Sequence, residues 1–202
     1  MRKLAWIAIG AMGLLMLVAS AAVLFLRASG GLSTRSEPSG PEAWLARSAR
    51  KLAMPAEAQK LQNPVPKTPE ILAEGLAHWA DRCAGCHAND GSGDTAMGKG
   101  LYPPAPDMRQ RATQDLTDGE LFYVIENGIR LTGMPAWGGP GHDGTASWKL
   151  VHFIRHLPSV TFEERREMER LNPKGPDEIE EQREQEEFLK GESDHEVHTH
   201  KH

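Results

Sequence analysis

The residues best suited to chemistry in this chain are Cys83-Ala84-Gly85-Cys86-His87. Two thiols three residues apart on the first turn of a helix can each add to one vinyl group of a single porphyrin. The next side chain then sets an imidazole against its iron, so C-x-x-C-H reads as an attachment site for c-type haem. The chain has 2 cysteines in all, which provides for one covalently attached haem and no second. A structural zinc centre would need four closely spaced Cys/His ligands, and the second pair is missing. A thioredoxin-like redox pair would open a helix after a strand, and no strand-like run precedes Cys83.

Other residues with ligand chemistry are weaker candidates. His152 and His156 stand four apart on a helical pattern, the spacing of a two-histidine metal face, but no third ligand lies near them in sequence. His78 precedes Trp79 and reads as an exposed helix residue. At the end of the chain His195, His198, His200 and His202 crowd together with Asp194 and Glu196. Such density could take Cu, Zn or Ni, and a solvated tail is the competing reading.

The elements that must position the motif are few. The chain has 202 residues with 23 basic and 28 acidic side chains, a formal charge of −5, which gives no reason to expect a nucleic-acid partner. Residues 4–26 are uncharged and apolar, flanked by Arg2, Lys3 and Arg27. That run is long enough to cross a hydrocarbon core of about 30 Å as a helix, whereas a signal-peptide core spans only about 7–15 residues. Ala19-Ser20-Ala21 resembles a peptidase site, yet the apolar run continues past it, so residues 1–27 read as an uncleaved transmembrane anchor. Arg2 and Lys3 would remain cytoplasmic. Thioether formation requires export, so the rest of the chain is expected on the extracytoplasmic, periplasmic side of a bacterial cytoplasmic membrane.

Residues 28–69, rich in Pro, Ser and Gly, read as a stalk. A short helix is expected between Pro41 and Pro55, with Trp44, Leu45, Ser48 and Leu52 on one face and Arg47, Arg50 and Lys51 beside it. It could lie on anionic headgroups, pack on the following domain, dock a partner, or stay solvated. A compact domain follows over residues 70–160. Its first helix, near 70–83, repeats Ile71, Leu72, Gly75, Trp79 and Ala80 at helical spacing. Its last, near 147–157, aligns Trp148, Val151, Ile154 and Leu157 with Phe153 beside them. Gly75 offers a close crossing point and Trp79 a large surface one turn on, so these two helices are expected to cross. Thr117 and Glu120 form a capping box for a helix closed by Gly128. Residues 161–202 read as a charged extension, with a short helix over 161–171 and an acidic one over 177–189, solvated or disordered.

The order and spacing of five motifs resemble the class I cytochromes c, in particular bacterial monohaem ones. These motifs are Glu74-Gly75 with Trp79 before the Cys83 run, Gly91-Ser92-Gly93-Asp94, Pro103-Pro104-Ala105-Pro106-Asp107, Gly133-Met134-Pro135-Ala136-Trp137, and Trp148-Lys149-Leu150-Val151. The resemblance covers about residues 70–160. It implies an all-α class I cytochrome c fold whose first and last helices cross, with haem in a crevice between them and the loops. His87 would be the proximal ligand, its other ring N–H held by the carbonyl of Pro103 or Pro104. Candidates for the sixth position are Met97, Met108, Met134, His142 or none, and Met134 matches the distal methionine of the family. Arg130 and Trp137 flank that loop and could donate to haem propionates, with Arg109 and Arg111 as rivals. Iron held on both faces admits neither water nor substrate, so the expected activity is electron transfer between respiratory redox proteins at the membrane surface. Two alternatives stay open: a haem subunit of a larger membrane oxidoreductase, or a metal-handling or sensing protein that uses the histidine tail.

Overall fold

The computed structural model describes residues 2–28, 33–172 and the short pieces 183–184 and 187–188. The histidine tail and most of the acidic stretch 177–189 lie outside the described residues. Among the described residues every regular element is helical, as an all-α fold requires.

Helix α1 (Arg2–Ala28) holds the apolar run. Its segment Ile9–Ala28 has a mean hydropathy of 2.5 and buries 0% of its window. At 1.5 Å per residue the whole helix is about 40 Å long, long and apolar enough to cross a membrane. Helix α2 (Gly40–Ala53) starts with Pro41 in its first turn and stops before Pro55, the limits expected from the two prolines.

The core is organised by α4 (Pro69–Arg82) and α9 (Thr145–His156). Thr68 caps α4, its hydroxyl accepting the Ile71 N–H at 3.3 Å. The two helices cross at Gly75, where a Cβ would lie 2.7 Å from the Lys149 carbonyl oxygen and 3.1 Å from Phe153 Cβ. Only a residue without a side chain lets the backbones come so near. One turn later Trp79, 1% exposed, meets Phe153, 0% exposed, with ring centroids 5.8 Å apart. Val151, Ile154 and Leu157 complete the buried stripe, Leu157 opening a 3₁₀ turn (Leu157–Ser159). Helix α8 (Asp118–Asn127) joins through Phe122, stacked on Trp148 at 4.0 Å. The Thr117–Glu120 capping box closes as expected, with bonds of 2.7 and 3.2 Å.

Two stretches depart from the sequence expectation. The approach to the domain is tied down rather than extended. Helix α3 (Ala56–Lys60) buries Ala58, and Met54 before it is 7% exposed. Gly119 of α8 receives α3, since a Cβ there would lie 1.9 Å from the Ala58 carbonyl oxygen. The Asn63 side-chain amide donates to the Trp148 carbonyl at 2.8 Å, and the His152 ring donates to the Val65 carbonyl, also at 2.8 Å. That bond gives His152 a structural role, and no group of three ligand side chains able to hold a metal occurs among the described residues.

The second departure is α10 (Phe162–Leu171), which forms where a short helix is expected but is not a free, solvated charge run. It lies on α4 and buries Met168 completely. His156 pairs with Glu164 at 2.9 Å, and the Asn172 side chain donates to Asn89 Oδ1 at 3.1 Å. One buried methionine and two polar ties hold the helix on the domain, while Glu163, Arg165, Arg166, Glu169 and Arg170 stay exposed.

Candidate haem site

Cys83 ends α4 and caps the single-turn helix α5 (Ala84–His87). Its carbonyl accepts the N–H groups of Cys86 at 3.2 Å and His87 at 2.9 Å. The three reactive side chains are thereby held on one turn. Both cysteines are free and half-buried. Burial pushes the Cys83 thiol up to about 12, with further upward pressure from Cys86, and burial also raises Cys86. A dithiol built for exchange has a depressed thiol pKa; these two stay protonated at neutral pH. Both thiols sit on one turn, the placement that joint addition to a single porphyrin would need.

Burial holds the His87 imidazole below its ordinary pKa, opposed by the backbone carbonyl of Pro106. A neutral ring is the form that ligates a metal. His87 Nδ1 is fully buried without a hydrogen bond of good geometry, and Pro106 is the backbone acceptor facing it. The sequence expectation named Pro103 or Pro104 for this role. Pro106, two residues beyond Pro104, faces the ring instead, next to Ala105, whose N–H ties to the Gly98 carbonyl at 2.9 Å.

Several further residues hold His87 in place. Its own carbonyl accepts the Gly93 N–H at 2.9 Å. Gly93 has φ +77°, and a Cβ there would lie 2.3 Å from the Ala105 carbonyl oxygen. Ala88, immediately after His87, sits at φ 60° and ψ 161°, a region that costs a residue with a Cβ about 1–3 kcal/mol. The Trp79 indole holds this strained step by donating to the Ala88 carbonyl at 3.1 Å, its ring 5.8 Å from that of His87. Thr95 caps α6 (Ala96–Gly100) by accepting the Gly98 N–H at 2.8 Å. The same hydroxyl faces the carbonyls of Gly85 at 2.9 Å and Cys86 at 3.2 Å. Gly93 and Trp79 belong to motifs read in the sequence, whereas Ala88 carries no signal and Thr95 only that of a cap-type residue before a short helix.

The Met134 loop is built from the end of α8. Gly128, at φ +65°, lies where a Cβ would stand 2.7 Å from the Met134 carbonyl oxygen and the Ala136 nitrogen. The Met134 N–H donates to Thr132 Oγ1 at 3.1 Å, and its carbonyl accepts the Ile129 N–H at 3.1 Å. Both backbone groups are engaged, so the loop keeps its shape without its thioether. Trp137, whose N–H donates to the Ile125 carbonyl at 3.0 Å, lies under the Arg82 guanidinium at 5.8 Å. Arg82 directly precedes Cys83, so the loop returns to the haem motif. On its other side Gly133 meets the Leu101 side chain.

The rival sixth ligands fare differently. Met97 is 62% exposed, and Met108 packs against the core with its N–H on the Gly91 carbonyl at 2.8 Å. His142 Nδ1 accepts the Gly144 N–H at 3.2 Å and lies 3.2 Å from Glu126 Oε1. Among the arginines, Arg109 is committed elsewhere, binding Asp107 at 2.9 Å and Asp90 at 2.7 Å, which staples the proline-rich loop to the segment after His87. Arg111 is exposed and pairs with Asp115; Arg130 is exposed.

These residues fit haem c. Two thiols on one turn that could form the thioether bonds, a half-buried imidazole with a carbonyl facing its far nitrogen, and a methionine loop that could offer a second axial donor are the groups it would use. Residues 70–154 match the family model described as cytochrome C oxidase, cbb3-type, subunit III. That segment is a class I c-type cytochrome domain, a class that carries covalently bound haem c and exchanges electrons with redox partners.

Proposed function

We propose that the chain is a membrane-tethered carrier of single electrons, with one haem c on Cys83 and Cys86 and its iron between His87 and Met134. Haem bound there supplies one-electron exchange at iron. Two observations support the reading: a half-buried His87 whose imidazole burial keeps neutral, and a Met134 loop whose backbone N–H and carbonyl are both hydrogen-bonded. The thioether is a soft neutral donor that favours the ferrous state and raises the potential. Two permanent ligands leave no site for a substrate, so the chain acts as a carrier and not as a catalyst. Helix α1 anchors it to the bacterial cytoplasmic membrane with the haem domain on the periplasmic side, facing donor and acceptor proteins at that surface.

The matched family's description, which names an oxidase subunit, favours a second reading: the chain as the haem subunit of a larger membrane oxidoreductase. Mild-detergent extraction followed by mediated potentiometric titration separates the two. A free carrier extracts alone and gives one transition with single-electron slope. Co-purification of other subunits in fixed proportion would replace the carrier by the subunit reading, and a chain without a reversible transition would refute both.

A further inference from the structure

Among the described residues no helix packs over the apolar side of α2. None of its residues is buried, and Trp44, Leu45 and Leu52 are 68%, 63% and 86% exposed. At 3.6 residues per turn Pro41, Trp44, Leu45, Ser48 and Leu52 fall within an arc of about 100°. Arg47 and Lys51 flank the Trp44 edge, Glu42 borders the other edge, and Ala46 and Arg50 lie opposite. The tie from α2 to the domain is at Glu42: the Tyr102 hydroxyl donates to its Oε1. Tyr102 follows Leu101, which packs on Gly133 beside Met134. The helix therefore presents an apolar face to its surroundings and holds the haem loops by its side.

We propose that α2 lies flat on the outer surface of the membrane, with Trp44, Leu45 and Leu52 in the boundary between headgroups and acyl chains and Arg47 and Lys51 on anionic headgroups. This rests on α1 being the anchor. Residues 29–39 join the two helices and reach at most about 40 Å when fully extended, so α2 cannot leave the vicinity of the bilayer. An apolar stripe bearing tryptophan, bordered by arginine and lysine, is the composition that partitions into that interface. The consequence is orientation. Through Glu42 and Tyr102 the surface-lying helix sets which side of the haem domain faces the membrane and which faces its partners.

The test uses the full-length, haem-loaded protein in vesicles of phosphatidylglycerol and phosphatidylcholine. Nitroxide labels are placed one at a time at Leu45→Cys, Leu52→Cys, Ala46→Cys and Val18→Cys, and electron paramagnetic resonance reads their accessibility to oxygen against a water-soluble nickel complex. The expected result is a severalfold higher oxygen-to-nickel ratio at positions 45 and 52 than at 46. A basic residue near an anionic surface contributes about fivefold in binding. Arg47→Gln with Lys51→Gln should therefore lower the docked-to-free ratio by about 25-fold on phosphatidylglycerol, and added salt should act in the same direction. Equal aqueous exposure at 45, 46 and 52 would overturn the proposal. So would labels at 45 and 52 immobilised alike in detergent and in vesicles, the signature of a protein partner. The Val18 label tests the anchor separately. If it reads as water-exposed while 45 and 52 read as interfacial, the spanning reading of α1 falls and the surface role of α2 stands.

Discussion

Substituting Gly75 by alanine tests the helix crossing on which the domain depends. The new methyl would meet the Lys149 carbonyl oxygen at 2.7 Å, its carbon at 3.3 Å and Phe153 Cβ at 3.1 Å. Two of these three atoms are backbone, so relief requires α9 to move by a few tenths of an ångström, and Phe153 and Val151 behind it are fully buried. Alanine in place of glycine inside a helix gains about 1 kcal/mol, while overpacking a close contact costs about 1–3 kcal/mol. The net expectation is a loss of up to about 2 kcal/mol, growing further with Gly75→Val. Gly100→Ala, at the end of α6 with nothing within 4 Å of its Cβ, should match the parent or exceed it by up to about 1 kcal/mol. Urea unfolding of the haem-loaded protein in detergent, followed by tryptophan fluorescence and haem absorbance, reads all three. If Gly75→Ala unfolds above the parent midpoint, α4 and α9 do not cross as closely as described.

Ala88→Gly should stabilise the protein by about 1 kcal/mol by relieving its strained backbone, whereas Ala88→Val should destabilise it; the same urea midpoints decide. Met168→Ala should cost about 2–5 kcal/mol despite its place in a charged helix, because the side chain is 0% exposed. No such loss is expected for Met97→Ala. The Asp107 carboxyl is held at about 2, chiefly by its hydrogen bonds to Arg109, which also faces Asp90. Its folded pKa lies below the unfolded one, so the unfolded chain takes up the proton first and stability is lost as pH falls from about 4 towards 2. Asp107→Asn should flatten that part of a stability–pH profile, and an unchanged profile would remove Arg109 from its stapling role.

Much of this was legible in the sequence, and the rest was hidden for identifiable reasons. The Cys83-Ala84-Gly85-Cys86-His87 run and the Thr117–Glu120 box are local signals, and the crossing at Gly75 is legible as a glycine set among apolar residues of a helical stripe. The stripes of α4 and α9 follow from periodicity alone. The packing of α10 was hidden because Met168 stands among glutamates and arginines, and periodicity cannot weigh one buried side chain against many exposed ones. The approach through Ala58, Asn63 and Val65 was hidden because its ties are long-range and largely to backbone carbonyls, which carry no residue-type signature. Pro106 could not be separated from Pro103 and Pro104, since all three supply the same acceptor and only the path of the loop chooses among them. Arg109 read as a rival donor to haem propionates until the fold brought Asp90 beside it.

The most direct test of the central claim is the near-infrared and visible spectrum of the oxidised, membrane-extracted protein, compared with that of Met134→Ala. A haem held by His87 and Met134 gives a weak sulfur-to-iron band in the parent that the substitution abolishes, together with a parent low-spin spectrum unmoved by carbon monoxide on reduction. A parent spectrum that is high-spin, or that shifts with carbon monoxide, would contradict the account, as would a sulfur band that survives in Met134→Ala.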